Sequence, residues 1–187
     1  MRLKNSKKTF MHKAFWICLI VVVFGCDNSS GESHDVDPLE GMSKEERNKI
    51  IEKALINSTQ KEEAQIKGYL KRHQIPAQQT ETGVYYYIYQ SGKGEQIQDG
   101  QHVVVDYVVT KINGDTLYTT QKKLDEFRVA NSEKESGLHE AIKLLKSGSK
   151  AIIILPSHRA HGISGDTEKI PPLSTVIYNL TVKNVNE

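Results

Sequence analysis

The chain holds only two cysteines in 187 residues, Cys18 and Cys26, and both lie within its first 26 positions. Downstream of them a disulfide framework is excluded, so the fold there must rest on packing. A basic surplus is also missing. Five of the 25 lysines and arginines (Arg2, Lys4, Lys7, Lys8, Lys13) precede Gly25 with no acidic residue among them, so residues 26 to 187 carry 20 basic against 23 acidic groups, a formal charge of −3. Nothing there favours a nucleic-acid partner. The familiar catalytic signatures are lacking too. Gly92-Lys93-Gly94 has no helix start behind it and is a turn rather than a phosphate loop. Ser157, His158 and Asp166 have the letters of a hydrolase triad, but neighbours on one loop cannot supply its geometry and no nucleophile elbow is present. His158 and His161, three apart on that loop with no third ligand fixed, imply no metal, and nothing asks for a cofactor. Tyr85, Tyr86, Tyr87 and Tyr89 have no basic groove beside them, which favours strand packing over a stacking platform.

What is present begins with an address. The five early basic residues precede an uncharged run, Ala14 to Phe24, of the length expected for a secretory signal and too short for a membrane span. The run ends in Val23-Phe24-Gly25-Cys26, which resembles the bacterial lipobox. That resemblance implies a lipoprotein signal peptide over residues 1–25, acylation of Cys26, and a chain tethered by lipid to a membrane of the bacterial envelope, facing the periplasm. Acyl chains contribute about 0.8 kcal/mol per buried CH₂, so three of them would hold such a protein on a bilayer almost permanently. Residues 26–41, rich in Ser, Gly, Asp and Glu, have little to bury and read as a flexible tether.

From 42 to 74 the pattern is helical. Ser43 is placed to cap with Glu46, and Ile50, Ile51, Ala54, Leu55, Ile66, Tyr69 and Leu70 recur at intervals of three and four. Asn57-Ser58-Thr59 are weak helix formers, so one kinked helix and two helices both fit. This arm reads either as a stalk packed on the following domain or as a contact for a partner, a homodimer among them.

Beyond Thr82 the period drops to two. Strands are expected over Val84–Tyr89, Val103–Thr110, Thr116–Thr120, Phe127–Ala130, Ala151–Leu155 and Thr175–Val182, with Asn113-Gly114 as a hairpin signal. A short helix opens at Ser136-Gly137, turns Leu138, Ala141, Ile142 and Leu145 inward, and closes at Ser147-Gly148. The expected class is α+β, a curved antiparallel β-sheet joined mostly by hairpins, with one short helix against its concave face and a helical arm ahead of it.

Six segments then occur in order: Gly100 to Tyr107, Asn113 to Thr120, Leu145 to Lys150, Leu155-Pro156-Ser157, Ala160-His161-Gly162 and Ile170-Pro171-Pro172. Together they resemble the FKBP family of peptidyl-prolyl cis/trans isomerases, over residues 82–187. With the lipobox and the helical arm, the whole is similar to the gliding-motility-associated isomerase lipoproteins of certain gram-negative bacteria. The resemblance implies a pocket floored by Leu138, walled by Tyr107, Leu117, Phe127, Ile170 and Tyr178, and rimmed by His161 where the family has tyrosine. Two departures stand out. Leu117-Tyr118 replaces the family's Phe-Asp, and the charged run Ser132 to Glu135 replaces an apolar pair whose backbone amide grips ligands.

Such a pocket needs no nucleophile. Rotation about an Xaa-Pro bond must break amide resonance, a barrier of ~18–20 kcal/mol, and takes tens of seconds or more unaided. A dry aromatic pocket disfavours the dipolar planar amide, and a rim donor holds the rotated carbonyl. Two readings follow. One is a membrane-anchored isomerase that acts on Xaa-Pro segments of unfolded or exported proteins. The other is a catalytically weak module of the same fold, serving as chaperone or scaffold in a motility or secretion assembly.

Overall fold

The computed structural model describes residues 41–121 and 123–186. The expected signal peptide and tether, with Cys18 and Cys26, lie outside the described residues. The arm is one helix, α1 (Lys44–His73), opened by the capping box: Glu46 N–H donates to Ser43 Oγ at 3.2 Å, and Ser43 N–H to Glu46 Oε2 at 2.9 Å. Asn57-Ser58-Thr59 does not break it. Thr59 Oγ1 donates back to the Leu55 carbonyl at 3.0 Å, so its side chain bonds the helix it could have ended. Gln74, in the left-handed conformation at φ 54°, stops it.

The sheet contains β1 (Gln78–Gln79), β2 (Tyr85–Gln90), β3 (His102–Lys111), β4 (Thr116–Thr119), β5 (Asp125–Arg128), β6 (Lys150–Leu155) and β7 (Val176–Asn186). Its order is β1-β2-β6-β7-β3-β4, antiparallel throughout, with β5 also pairing β3. Thus one edge of β3 serves two strands, β5 along His102–Val105 and β4 along Val108–Thr110. Register shifts between Val104 and Val105 against β7, and between Val109 and Thr110 against β4, bend the long strand.

Several expectations shift, and the short helix ends at Ile142 rather than at Ser147-Gly148. The fifth strand starts at Asp125 and ends at Arg128, because Ala130 turns into the left-handed region at φ 59°. The last strand runs on to Asn186, where its end pairs with His102. The strand pair Gln78–Gln79 with Tyr85–Tyr86 has too few residues to show a period in sequence. Hairpins are fewer than expected: β2 lies beside β6, and β3 beside β7, across long stretches of chain.

Helix α2 (Ser136–Ile142) lies on the concave face, burying Leu138, Ala141 and Ile142 against Val103, Val105, Ile153, Leu155, Tyr178 and Leu180. Gly137 makes that approach feasible. A Cβ built there would stand 2.8 Å from Leu155 Cδ2 and 2.9 Å from the Arg159 carbonyl oxygen. The other face of the sheet takes the arm: Ile66, Tyr69 and Leu70 pack with Tyr85, Ile154 and Ile177. At the entry to β2, alternation therefore sends Val84, just ahead of the strand, to one core and Tyr85 to the other.

Glu62 fastens this contact. Its carboxylate accepts from Ser157 N–H at 2.7 Å, Ser157 Oγ at 2.9 Å and Thr175 Oγ1 at 2.6 Å. Ser157 and Thr175 are both buried. Among the described residues the first half of α1 has no such partner, and Ile50, Ile51, Leu55 and Ile56 are 44–52% exposed. Among the described residues no helix is long and apolar enough to cross a membrane.

Glu62→Ala strands three donors, and buried unsatisfied donors cost about 1–3 kcal/mol each. Amide hydrogen exchange across 60–73 is expected to accelerate at least about tenfold, which one such loss of 1.4 kcal/mol would produce, while exchange in β6 and β7 changes less. Unchanged protection of 60–73 would show that Ile66, Tyr69 and Leu70 hold the arm alone.

Candidate functional site

The site is built where α2 crosses the concave face. Leu138 comes from α2, Tyr107 from β3, Leu117 and Tyr118 from β4, Phe127 from β5, Tyr178 from β7 and Ile170 from the loop before β7. Leu138 is 0% exposed, Ile170 and Tyr178 4%, Phe127 5% and Leu117 8%, with half-buried Tyr107 and Tyr118 packed on the same cluster. The aromatic lining is closed against itself. Tyr107 and Tyr178 meet edge to face, centroids 5.3 Å apart at 74°. Phe127 meets His139 of α2 in the same manner at 5.6 Å.

Each tyrosine of that wall is pinned by a carboxylate. Tyr107 OH donates to Asp125 Oδ2 at 2.7 Å, and Lys134 Nζ reaches the same oxygen at 2.5 Å. Tyr178 OH donates to Glu135 Oε1 at 2.6 Å. His161 is half-buried and places Nε2 2.9 Å from that same Glu135 oxygen. A carboxylate only accepts, so Nε2 carries the proton. Burial first, and then the nearby carboxylates, push the Tyr107 and Tyr178 hydroxyls well above the ordinary phenol range and keep them donors. His161, expected as a rim donor, is engaged by Glu135.

Tyr118 faces the other way. Its hydroxyl donates to Asp166, which pushes its pKa up to about 12, and Lys169 Nζ lies 4.9 Å over its ring. Asp166 Oδ1 accepts from the backbone N–H groups of Glu168 at 3.0 Å, Lys169 at 2.8 Å and Ile170 at 2.7 Å. Burial opposes ionisation of Asp166, yet the Tyr118 hydroxyl and these three amides outweigh it and hold the carboxyl well below the usual range. Tyr118 is thus an anchor for the loop that delivers Ile170.

The sequence pattern brought the apolar lining together and missed the polar half. Asp125, on a different strand from position 118, supplies the carboxylate that meets Tyr107. Its signal was faint: an acid just before the alternation at Phe127. Glu135 was visible as a charge ahead of the short helix. It stands at the N-cap of α2, where Ser, Thr, Asp and Asn are preferred, and its side chain makes no capping bond. Ser157, His158 and Asp166 diverge, toward Glu62, the Thr82 carbonyl and Tyr118 respectively. Among the described residues, no group of three or more His, Cys, Asp or Glu is placed to hold a metal.

The family model of the FKBP-type peptidyl-prolyl cis-trans isomerases matches residues 93–183. The FKBP-type peptidyl-prolyl cis-trans isomerase FkpA of Escherichia coli (strain K12) is 35% identical over 107 residues, covering 56% of this chain and 38% of the relative. A probable FKBP-type isomerase of Haemophilus influenzae is 28% identical, covering 57% of this chain and 44% of the relative. The chain therefore spans less than half the length of these curated relatives. Two solved structures share the fold. The crystal structure of FkpA from Escherichia coli has a TM-score of 0.61 at 24% identity, covering 78% of this chain and 74% of that one. The N-terminal domain of FKBP42 from Arabidopsis thaliana has a TM-score of 0.56 at 21% identity, covering 59% and 92%. Residues 93–183 of this chain thus form a domain of the FKBP-type peptidyl-prolyl cis-trans isomerase family.

Proposed function

We propose that the protein is a peptidyl-prolyl cis/trans isomerase, anchored through a lipidated Cys26 to a membrane of the bacterial envelope, that assists folding of exported proteins. The observation that carries this reading is the aromatic wall of Tyr107 and Tyr178 beside Phe127 and above Leu138, within a domain of the isomerase family. An amide bedded against these rings loses water on both faces. The planar form, being the more dipolar, loses more, and the twisted form is favoured. His161 Nε2–H is the donor for the rotated carbonyl, once Glu135 gives it up. No proton is transferred and no covalent bond is made.

The arm serves the same purpose at longer range. Its exposed Ile50, Ile51, Leu55 and Ile56 suit apolar segments of an unfolded client, or the same face of a second copy in a homodimer. A second reading has one observation in its favour. With Glu135 bridging Tyr178 and His161, the resting site is closed, which suits a scaffold in a motility or secretion assembly as well as an enzyme.

A protease-coupled assay on an Xaa-Pro peptide decides between them. The full chain is expected to accelerate isomerisation, and Tyr107→Ala and His161→Ala to lower kcat/KM by at least about tenfold, roughly 1.4 kcal/mol of transition-state stabilisation, with unchanged circular dichroism. Absence of acceleration by the parent leaves the scaffold. Lipid attachment has its own test: cells fed radiolabelled palmitate should label the parent and leave Cys26→Ser unlabelled. Equal labelling of both would place the lipid elsewhere, and no label on either would remove the anchor.

A further inference from the structure

Glu135 holds Tyr178 and His161 together and has no part of its own in the isomerisation. Its side chain is 7% exposed, yet its neighbours give it no lysine or arginine. The adjacent Lys134 is committed to Asp125 at 2.5 Å, and Arg159, behind α2, to Glu140 at 2.7 Å. Both bonds it accepts, from Tyr178 and His161, end on Oε1. Among the described residues Oε2 has no donor at all. The residue also forgoes the capping bond its position offers, at a helix end whose first N–H groups need acceptors. A carboxylate this enclosed is ordinarily paired with a cation. Among the described residues its salt-bridge partner is His161, a cation only when protonated, and no lysine or arginine faces it.

The geometry says where a cationic partner would come from. Oε1 lies 2.6 Å from the Tyr178 hydroxyl and 2.9 Å from His161 Nε2, so the side chain bridges these two residues. A pyrrolidine ring enters only as Glu135 swings off Tyr178 and His161. The released His161 N–H meets the carbonyl of the residue that precedes the proline, and the side chain of that residue is then the nearest to the displaced carboxylate. Asp125 does not compete for a cation, since Lys134 already neutralises it. Resting on the isomerase reading, we propose that Glu135 is the specificity-determining residue of this site and selects Xaa-Pro bonds whose Xaa is lysine or arginine, the incoming cation taking Oε2 as the proline takes the pocket.

The test uses the full chain and three tetrapeptide nitroanilides, Ala-Xaa-Pro-Phe with Xaa as Lys, Leu or Glu, in the protease-coupled assay at low salt. The parent should rank them Lys, Leu, Glu in kcat/KM, with Lys about tenfold above Leu, as one partly desolvated ion pair provides. The gap should shrink at ~0.5 M salt, where screening acts within a few ångströms. Glu135→Gln retains an oxygen for Tyr178 and His161 and removes only the charge. It should bring Lys and Leu together without abolishing turnover. The same ranking in Glu135→Gln, or no advantage for Lys in the parent, overturns the proposal. If no peptide is turned over by either form, the isomerase reading fails on its own, and calorimetric binding of the same peptides decides recognition. Tighter binding of the Lys peptide by the parent but not by Glu135→Gln supports the role of Glu135, and equal or undetectable binding across the series refutes it.

Discussion

A nearly dry carboxylate at the start of α2 ties together three parts of the chain that sequence keeps far apart. Glu135 binds Tyr178 on the last strand and His161 on the loop after β6 through a single oxygen. Beside it, Lys134 and Tyr107 share Asp125. The wall of the pocket is therefore a pair of tyrosines whose rings pack on each other and whose hydroxyls are each fixed by an acid. Such an arrangement keeps the ring faces apolar and puts the polar demand at the edge, where a substrate arrives.

The curved sheet divides its two faces between two tasks. The concave face meets α2 at a distance that Gly137 makes feasible, and there the side chains converge on Leu138. The opposite face holds the arm through Ile66, Tyr69, Leu70 and the triply bonded Glu62. Ser157, which Glu62 grips, begins the short 3₁₀ turn Ser157–Arg159, only four residues before His161. The arm and the pocket rim are thus mounted on one loop.

Much of this was legible in the residues. Alternation in Val103–Val109 and Ala151–Leu155, the Ser43/Glu46 capping box and the order of six short motifs were enough for the fold class. Strand partners were not, because a period of two says which face a side chain occupies and nothing about which strand lies beside it. That is why β5 returning to β3, and the separation of β2 from its neighbour β6, appear only in three dimensions. The polar half of the site escaped for a related reason. An Asp at a strand start and a Glu at a helix start look like ordinary surface charges, and only the fold turns Asp125 toward Tyr107 and Glu135 toward Tyr178. Tyr118, read from sequence as a ring in place of an acid, holds the loop through Asp166.

The most direct measurement follows the ring nitrogens of His161 and the carboxyl carbon of Glu135 by NMR while a Lys-Pro peptide is titrated into the full chain. If a proline can enter only when Glu135 lets go, both signals must move in step with the methyl resonances of Leu138 as the pocket fills. Occupation of the pocket, seen at Leu138, with the Glu135 and His161 signals unmoved would contradict it.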